Sequence, residues 1–131
     1  GLLLEMYIYY SSLFSGFFYE VCSGAEITWN KNVSNEFDLI LIKNFKCLIV
    51  EIKARTELNQ DIYHKLANLT NKVGINAKAV LISDTLEKDY QDNTINEMQR
   101  NRGEEYNIIT VHKKNDIDNI GKTLRDIWLN A

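Results

Sequence analysis

The order of apolar and helical segments predicts a mixed α/β sheet, with an antiparallel hairpin at one side and helices on both faces. Three observations carry this. Two apolar runs, residues 35–42 and 47–53, are separated only by Lys43-Asn44-Phe45-Lys46, the pattern of a β-hairpin. Helical patterns then alternate with two further apolar runs, 77–82 and 106–111, at the spacing of βαβ crossovers. The element order therefore reads α-β-β-β-α-β-α-β-α, and crossovers of that kind place helices over both faces of the sheet.

Each element has its own local reason. Leu2, Met6, Tyr9 and Leu13 recur at helical spacing, which predicts an amphipathic helix over roughly the first fourteen residues. Gly16 and Gly24 bracket an aromatic connection, Phe17-Phe18-Tyr19. A short strand at 26–29 is β-branched and aromatic, and the polar segment 30–34 ends it. The hairpin follows, with its turn centred on Asn44-Phe45. A helix over about 57–73 carries Leu58, Ile62, Leu66 and Leu69 on one face, and Gly74 is placed to terminate it. After the strand at 77–82, a helix over about 92–101 carries Ile95 and Met98. The strand at 106–111 and a closing helix over 116–129, with Asp116 as its N-cap, complete the chain. No internal repeat, low-complexity tract or linker interrupts it, and proline is absent.

A chain of 131 residues is one domain, long enough to bury a core. Its net charge of −3 excludes a global basic field for a polyanion partner. Charge is uneven, however: between Lys43 and Lys78 stand seven basic residues and three acidic ones, compatible with a phosphate-facing surface or with an ordinary solvated face. Cys22 and Cys47 are too few for a zinc site or a disulfide scaffold, and Cys47 reads as a small core residue. Nothing approaches the roughly 20 apolar residues of a membrane span. Gly1-Leu2-Leu3-Leu4 lacks the basic flank and cleavage pattern of a signal peptide, so a cytoplasmic location is expected. The chain starts without Met and enters a helical pattern at once, which suggests a piece of a longer protein.

The hairpin concentrates the chemistry. A turn centred on Asn44-Phe45 sets Asp38 opposite Glu51 and Glu36 opposite Lys53. Strand alternation then gives Glu51 and Lys53 one face, and Glu36 and Asp38 likewise. Opposed residues have Cβ atoms roughly 5 Å apart, where like charges destabilise. Two carboxylates held together beside a lysine need a reason, and a divalent cation is the simplest. The plain alternative makes Glu51 and Lys53 the wet face of an edge strand, with Asp38 a chance neighbour.

An Asp opening one strand and a Glu-x-Lys closing the next, in α-β-β-β-α-β order, resembles the PD-(D/E)xK nuclease superfamily, which includes restriction endonucleases and Holliday-junction resolvases. The residues are Asn35-Glu36-Phe37-Asp38 and Glu51-Ile52-Lys53; the usual proline before the aspartate is absent. The chain is similar in particular to the nuclease domain that follows a CARF sensor domain in type III CRISPR defence. Leu4-Glu5, Tyr63-x-Lys65-Leu66, Lys78-Ala79-Val80-Leu81 and the segment from Asn101-Arg102 to Ile108 carry that likeness. The resemblance implies a restriction-endonuclease-like fold and a metal-dependent endonuclease acting on DNA or RNA. It also implies activation by a cyclic oligoadenylate bound to an N-terminal CARF domain outside these residues, and a homodimer.

What the resemblance implies for the site is specific. Asp38 and Glu51 would hold Mg²⁺ or Mn²⁺, with the Ile52 carbonyl as a third oxygen donor. Lys53 would reach the attacking water or the transition-state oxygens, as base or as electrostatic stabiliser. Glu5 matches an acidic residue that relatives add to the metal shell, or is an ordinary helix carboxylate. Glu36 is a cross-strand partner of Lys53 or supports the site from behind. Lys65 contacts phosphate, or is simply solvated. His64 and His112 have no partners at ligand or triad spacing and read as surface or structural. Tyr7, Tyr9 and Tyr10 could stack unpaired bases, although core packing or a dimer surface accounts for them as well. The competing functions are a restriction- or resolvase-type nuclease and a catalytically silent nuclease-like module for binding or dimerisation.

Overall fold

Asn44 and Phe45, at the tip of the hairpin, both adopt left-handed backbone, with φ of 51° and 67°. That is the signature of a two-residue type I′ turn, whose twist matches that of the strands it joins. It pins β2 (Val33–Lys43) to β3 (Lys46–Ile52), with Lys43 opposite Lys46 and Leu39 opposite Val50. The register expected from the sequence is the one observed. The computed structural model describes residues 2–53, 60–74, 76–83, 104 and 106–131. The helix expected at 92–101, Leu58 and Arg55 lie outside them.

The remaining elements are α1 (Leu2–Phe14), β1 (Glu20–Asn30), α2 (Gln60–Val73), β4 (Ala77–Ile82), β5 (Ile108–Val111), α3 (Lys114–Asp118) and α4 (Ile120–Asn130). The strands form one sheet in the order β1-β2-β3-β4-β5, antiparallel at its first two junctions and parallel at its last two. This is the mixed α/β architecture that the pattern predicts, and it is consistent with the restriction-endonuclease-like fold that the resemblance implies. One face packs Leu39, Leu41, Leu48, Val50 and Val80 against Ile8 of α1, Ile117 of α3 and Leu124 of α4. The other packs Ile40, Ile49, Ala79 and Leu81 against Tyr63, Leu66 and Leu69 of α2. Burial on both faces is why β3 and β4 read as nearly unbroken apolar runs. The buried Tyr63 hydroxyl lies 2.9 Å from Thr110 Oγ1, which ties α2 to β5 without leaving either polar group bare.

Five expectations are corrected. The strand expected at 26–29 is β1, eleven residues long, because its first half pairs with the apolar Leu39–Ile42 stretch of β2 despite weak propensity of its own. The last strand begins at Ile108, since Asn107 immediately before it takes a left-handed φ of 59°. The closing helix is two helices, broken at Asn119 with φ −113° and ψ 39°. Asp116 lies inside α3 and is not its cap; Lys113 holds that position without a capping side chain. The Thr123 hydroxyl donates to the Asp116 carbonyl at 2.7 Å and joins the two pieces.

The fifth correction concerns the face that α1 buries. Leu2, Met6 and Leu13 are exposed, whereas Ile8 and Ser12 are fully buried. The reason is a close helix crossing. A Cβ on Gly121 of α4 would come within 3.2 Å of the Ser11 carbonyl and 3.3 Å of Ser15 Cβ. Only small residues fit there, so Ser11 and Ser15 take the contact and the larger apolar side chains turn outward.

Phe45 is 96 % exposed, so its ring contributes no packing while its backbone bears the cost of left-handed geometry. Phe45→Gly should therefore stabilise the chain by on the order of 0.5–1 kcal/mol. Urea denaturation of both proteins measures this, and a destabilised variant would contradict the turn assignment.

Candidate functional site

The β2–β3 ladder stops at Leu39 and Val50. One residue further, a side chain replaces the backbone: Asp38 Oδ2 accepts a hydrogen bond from the Ile52 amide at 2.8 Å. The other edge of β3 stays in register with β4 through Ile52 opposite Ile82, and the Lys53 amide donates to the Ile82 carbonyl at 2.8 Å. Asp38 thus fastens the end of β3 on one side while β4 holds it on the other. Glu51 and Lys53 sit on this fixed end, with Lys53 Nζ 3.3 Å from Glu51 Oε1.

Asp38 and Glu51 come together as expected, but beyond the last ladder pair. No ladder pair joins them; their side chains lie close enough for the negative charge of Asp38 to act on Glu51. The expected pairing of Glu36 with Lys53 is not held by any ladder, because β2 and β3 have already separated. The cross-strand partner of Glu36 on β1 is Glu26.

The irregularity has a local cause. On β1, Val21 packs against the α1/α4 core, while Ala25, Ile27 and Trp29 pack against the α2 core. On β2, Leu39 and Leu41 face the α1/α4 core, yet Phe37 joins the α2 core. Odd-numbered residues thus change face in both strands between Ser23 and Ala25 on β1 and between Phe37 and Leu39 on β2. The changeover falls at Gly24, with a left-handed φ of 57°, and at Asp38, the positions between the ladder pairs Ser23–Leu39 and Ala25–Phe37. Because both strands turn over together, the β1–β2 register continues on either side.

The electrostatics follow from this crowding. Burial, and then the negative charge of Asp38, push the Glu51 carboxyl up to about 7, against the downward pull of Lys53. Near neutral pH the Glu51 carboxyl therefore gains or loses its proton readily.

Two cavities flank the acids. One of about 260 Å³ is bordered by Glu36, Glu51, Lys53, Asp61 and Lys65, with α2 side chains as its apolar wall. The other, about 300 Å³, brings Glu5, Met6, Tyr9 and Tyr10 of α1 to Gly24, Glu36 and Asp38. Every residue assigned to the site from the sequence borders one hollow or the other apart from Ile52, which meets Asp38 through its amide. Glu36 borders both. A larger hollow of about 830 Å³, near Lys46, Lys78 and Asn107, contains none of these residues.

Other residues are placed differently from the sequence reading. The basic excess between Lys43 and Lys78 is not one surface. Lys43 donates to the Phe17 carbonyl at 3.1 Å, and Lys46 lies 4.2 Å from the Trp128 ring centroid, both at the turn end of the hairpin. Only Lys53 and Lys65 of the described members of that set border the acidic site. The Tyr7 hydroxyl donates to the Asp118 carbonyl at 2.8 Å, so it anchors α1 to the end of α3. His64 is exposed, 3.3 Å from the Asn68 amide, and His112 is buried. Cys22 and Cys47 are half-buried free thiols.

The donor set fits a hard divalent cation. Asp38 and Glu51 offer carboxylate oxygens, and the crowding that raises Glu51 is what a dication would relieve. Among the described residues no group of three or more His, Cys, Asp or Glu side chains is arranged to hold a metal, so Glu5 does not close a third corner. Mg²⁺ keeps several waters and needs only one or two carboxylates, so a pair suffices. Sequence reasoning missed Gly24 and Asp61. A glycine inside a β-pattern commonly marks a bulge or bend, which was the available signal for Gly24; Asp61 carried none.

No protein-family model and no curated protein matches this sequence. The fold is similar to that of Can2 from Sulfobacillus thermosulfidooxidans, solved in complex with cyclic tetra-adenylate. The TM-score is 0.70 at 22 % identity, over 100 % of this chain and 36 % of that one. It is also similar to protein VC1899 from Vibrio cholerae, with a TM-score of 0.67 at 17 % identity, over 97 % of this chain and 32 % of that one. At these identities the likeness is one of fold, and this chain spans about a third of the length of either. No helix among the described residues is long and apolar enough to cross a membrane.

Glu51 ionises near 4.5 when unfolded and at about 7 when folded. The folded state holds that proton more tightly, so its contribution is full below pH 4.5 and is lost as pH rises through about 7. In EDTA, the parent should lose more stability than Glu51→Gln between about pH 5 and about pH 8. Urea titrations at the two pH values measure it, and equal losses would contradict the environment assigned to Glu51.

Proposed function

We propose that this chain is a metal-dependent endonuclease domain that hydrolyses phosphodiester bonds of DNA or RNA. The observation that carries the proposal is the end of the hairpin, where Asp38 takes the Ile52 amide at 2.8 Å, its charge acts on Glu51, and Lys53 stands 3.3 Å from Glu51. Asp38, Glu51 and the Ile52 carbonyl would hold Mg²⁺ or Mn²⁺. When bound, such an ion acidifies a water and neutralises charge on the phosphoryl group. The chain itself supplies the rest. The Asp38–Ile52 bond fixes where the acids stand, and Lys53 brings a cation to the side on which transition-state charge develops. Lys65, which borders the same cavity, would meet a neighbouring phosphate.

The biological setting follows from the same reading. Likeness of fold to Can2, a protein whose solved structure holds cyclic tetra-adenylate, supports a role in CRISPR-linked antiviral defence. Control by a cyclic oligoadenylate bound to a CARF domain beyond these residues is part of the proposal. Pairing of two copies is another part, supported by the outward apolar face of α1, on which Leu3 and Phe14 are 84 % and 79 % exposed.

Incubation of the chain with plasmid, single-stranded DNA and RNA, in Mn²⁺ or EDTA, tests the activity. Cutting should require the metal and vanish in Glu51→Ala. Absence of cutting together with absence of Mn²⁺ binding by calorimetry would overturn the reading. Lys53→Met should slow cutting about 10²-fold or more while leaving Mn²⁺ affinity nearly unchanged. Because Glu51 must lose its proton to bind, Mn²⁺ affinity should fall up to about tenfold per unit as pH drops below about 7. Calorimetry across that range measures the slope, and a pH-independent affinity would exclude Glu51 as a ligand.

A further inference from the structure

A left-handed residue in the middle of a strand demands an explanation, and Gly24 is one. Its φ is 57°, a conformation that L-residues with a Cβ adopt only at a cost. Space is not the reason for glycine here: a Cβ would meet only Glu36 Oε1, at an ordinary 3.8 Å. The constraint is therefore in the backbone, and the question is what that backbone accomplishes.

The answer lies across the sheet. On the side towards residue 20 of β1, both strands keep one alternation; on the far side, both keep the opposite one. Without the changeover, a side chain at position 38 would share the face of Ile40 and point towards α2. With it, the Asp38 carboxylate lies along the sheet and takes the Ile52 amide at 2.8 Å, in the place a backbone carbonyl would occupy. A regular β-pair would supply that acceptor from the main chain and leave Asp38 free to swing. We infer that Gly24 is a positioning residue: its left-handed turn rotates β1 and β2 between the ladder pairs Ser23–Leu39 and Ala25–Phe37 and thereby aims the Asp38 carboxylate at the Ile52 amide.

Only the functional consequence rests on the proposed metal site; the positioning itself concerns one hydrogen bond. Gly16 provides the control. It too is left-handed, with φ of 70° and open space where a Cβ would stand, but it lies in the connection after α1, away from Asp38. Asn tolerates left-handed backbone better than other non-glycine residues, so Gly24→Asn is the conservative exchange.

The test follows amide hydrogen exchange at Ile52, with Leu48 and Val50 as internal references, alongside Mn²⁺ calorimetry and urea denaturation. Gly24→Ala should speed Ile52 exchange relative to those references and weaken Mn²⁺ binding, each by about tenfold, and Gly24→Val should do so more strongly. Gly24→Asn should remain close to the parent. Gly16→Ala should lose stability comparably while leaving Ile52 exchange and Mn²⁺ affinity unchanged. The inference is overturned if Gly24→Ala destabilises the chain but leaves Ile52 exchange at the level of Gly16→Ala. Should the parent bind no Mn²⁺, the metal reading fails, and the exchange measurement still decides the role of Gly24.

Discussion

The hydrogen bond from the Ile52 amide to Asp38 Oδ2 is where strand pairing gives way to side-chain chemistry, and the arrangement around it depends on that exchange. A strand end left without its acceptor would fray, because a buried amide without a partner is costly. Here the acceptor is a carboxylate, so the same contact that finishes the sheet also brings a negative charge to Glu51. Structure and electrostatics are coupled at one bond. Removing the carboxylate would loosen β3 and alter the ionisation of its neighbour together.

The second constraint is the pair of acids itself. Burial and mutual repulsion raise Glu51 to about 7, and Lys53 at 3.3 Å only partly offsets them. Opposed influences of this kind leave the site responsive to whatever enters the cavities beside it. A cation would be drawn in by both carboxylates, whereas a proton occupies the same place when pH falls. The hydrophobic layers make this possible by holding the backbone rigidly: β3 and β4 are buried on both faces, so the end of β3 cannot relax away from the crowding.

How much of this was legible in the sequence can be judged element by element. The turn at Asn44-Phe45 followed from hairpin length, and with it came the register that brings Asp38 near Glu51. The bounds of β4 followed from an apolar run with nothing ambiguous at either end. The buried face of α1 was misread because hydrophobicity alone was weighed; a close helix crossing at Gly121 rewards small residues instead, and that crossing is invisible without α4. The length of β1 was missed because its first half depends on β2 for its pairing, not on its own composition. The break at Asn119 and the displacement of Asp116 from the cap likewise depend on how α3 and α4 seat on the core.

Taken by itself, the amino-acid sequence determined the order of the described strands, the hairpin with its turn, and the set of side chains brought to its open end. These are local matters: turn chemistry, apolar periodicity and strand alternation act over a few neighbouring residues. Tertiary structure decided how those side chains meet. Alternation predicts two strict faces, yet the turnover at Gly24 and Asp38 breaks it in both strands, and the Asp38 carboxylate lies between the faces as a result. What Lys43 and Lys46 contact at the turn was decided at the same level, because Phe17 and Trp128 engage them from distant parts of the chain. Such contacts arise only when remote segments pack, and no pattern within one strand encodes them.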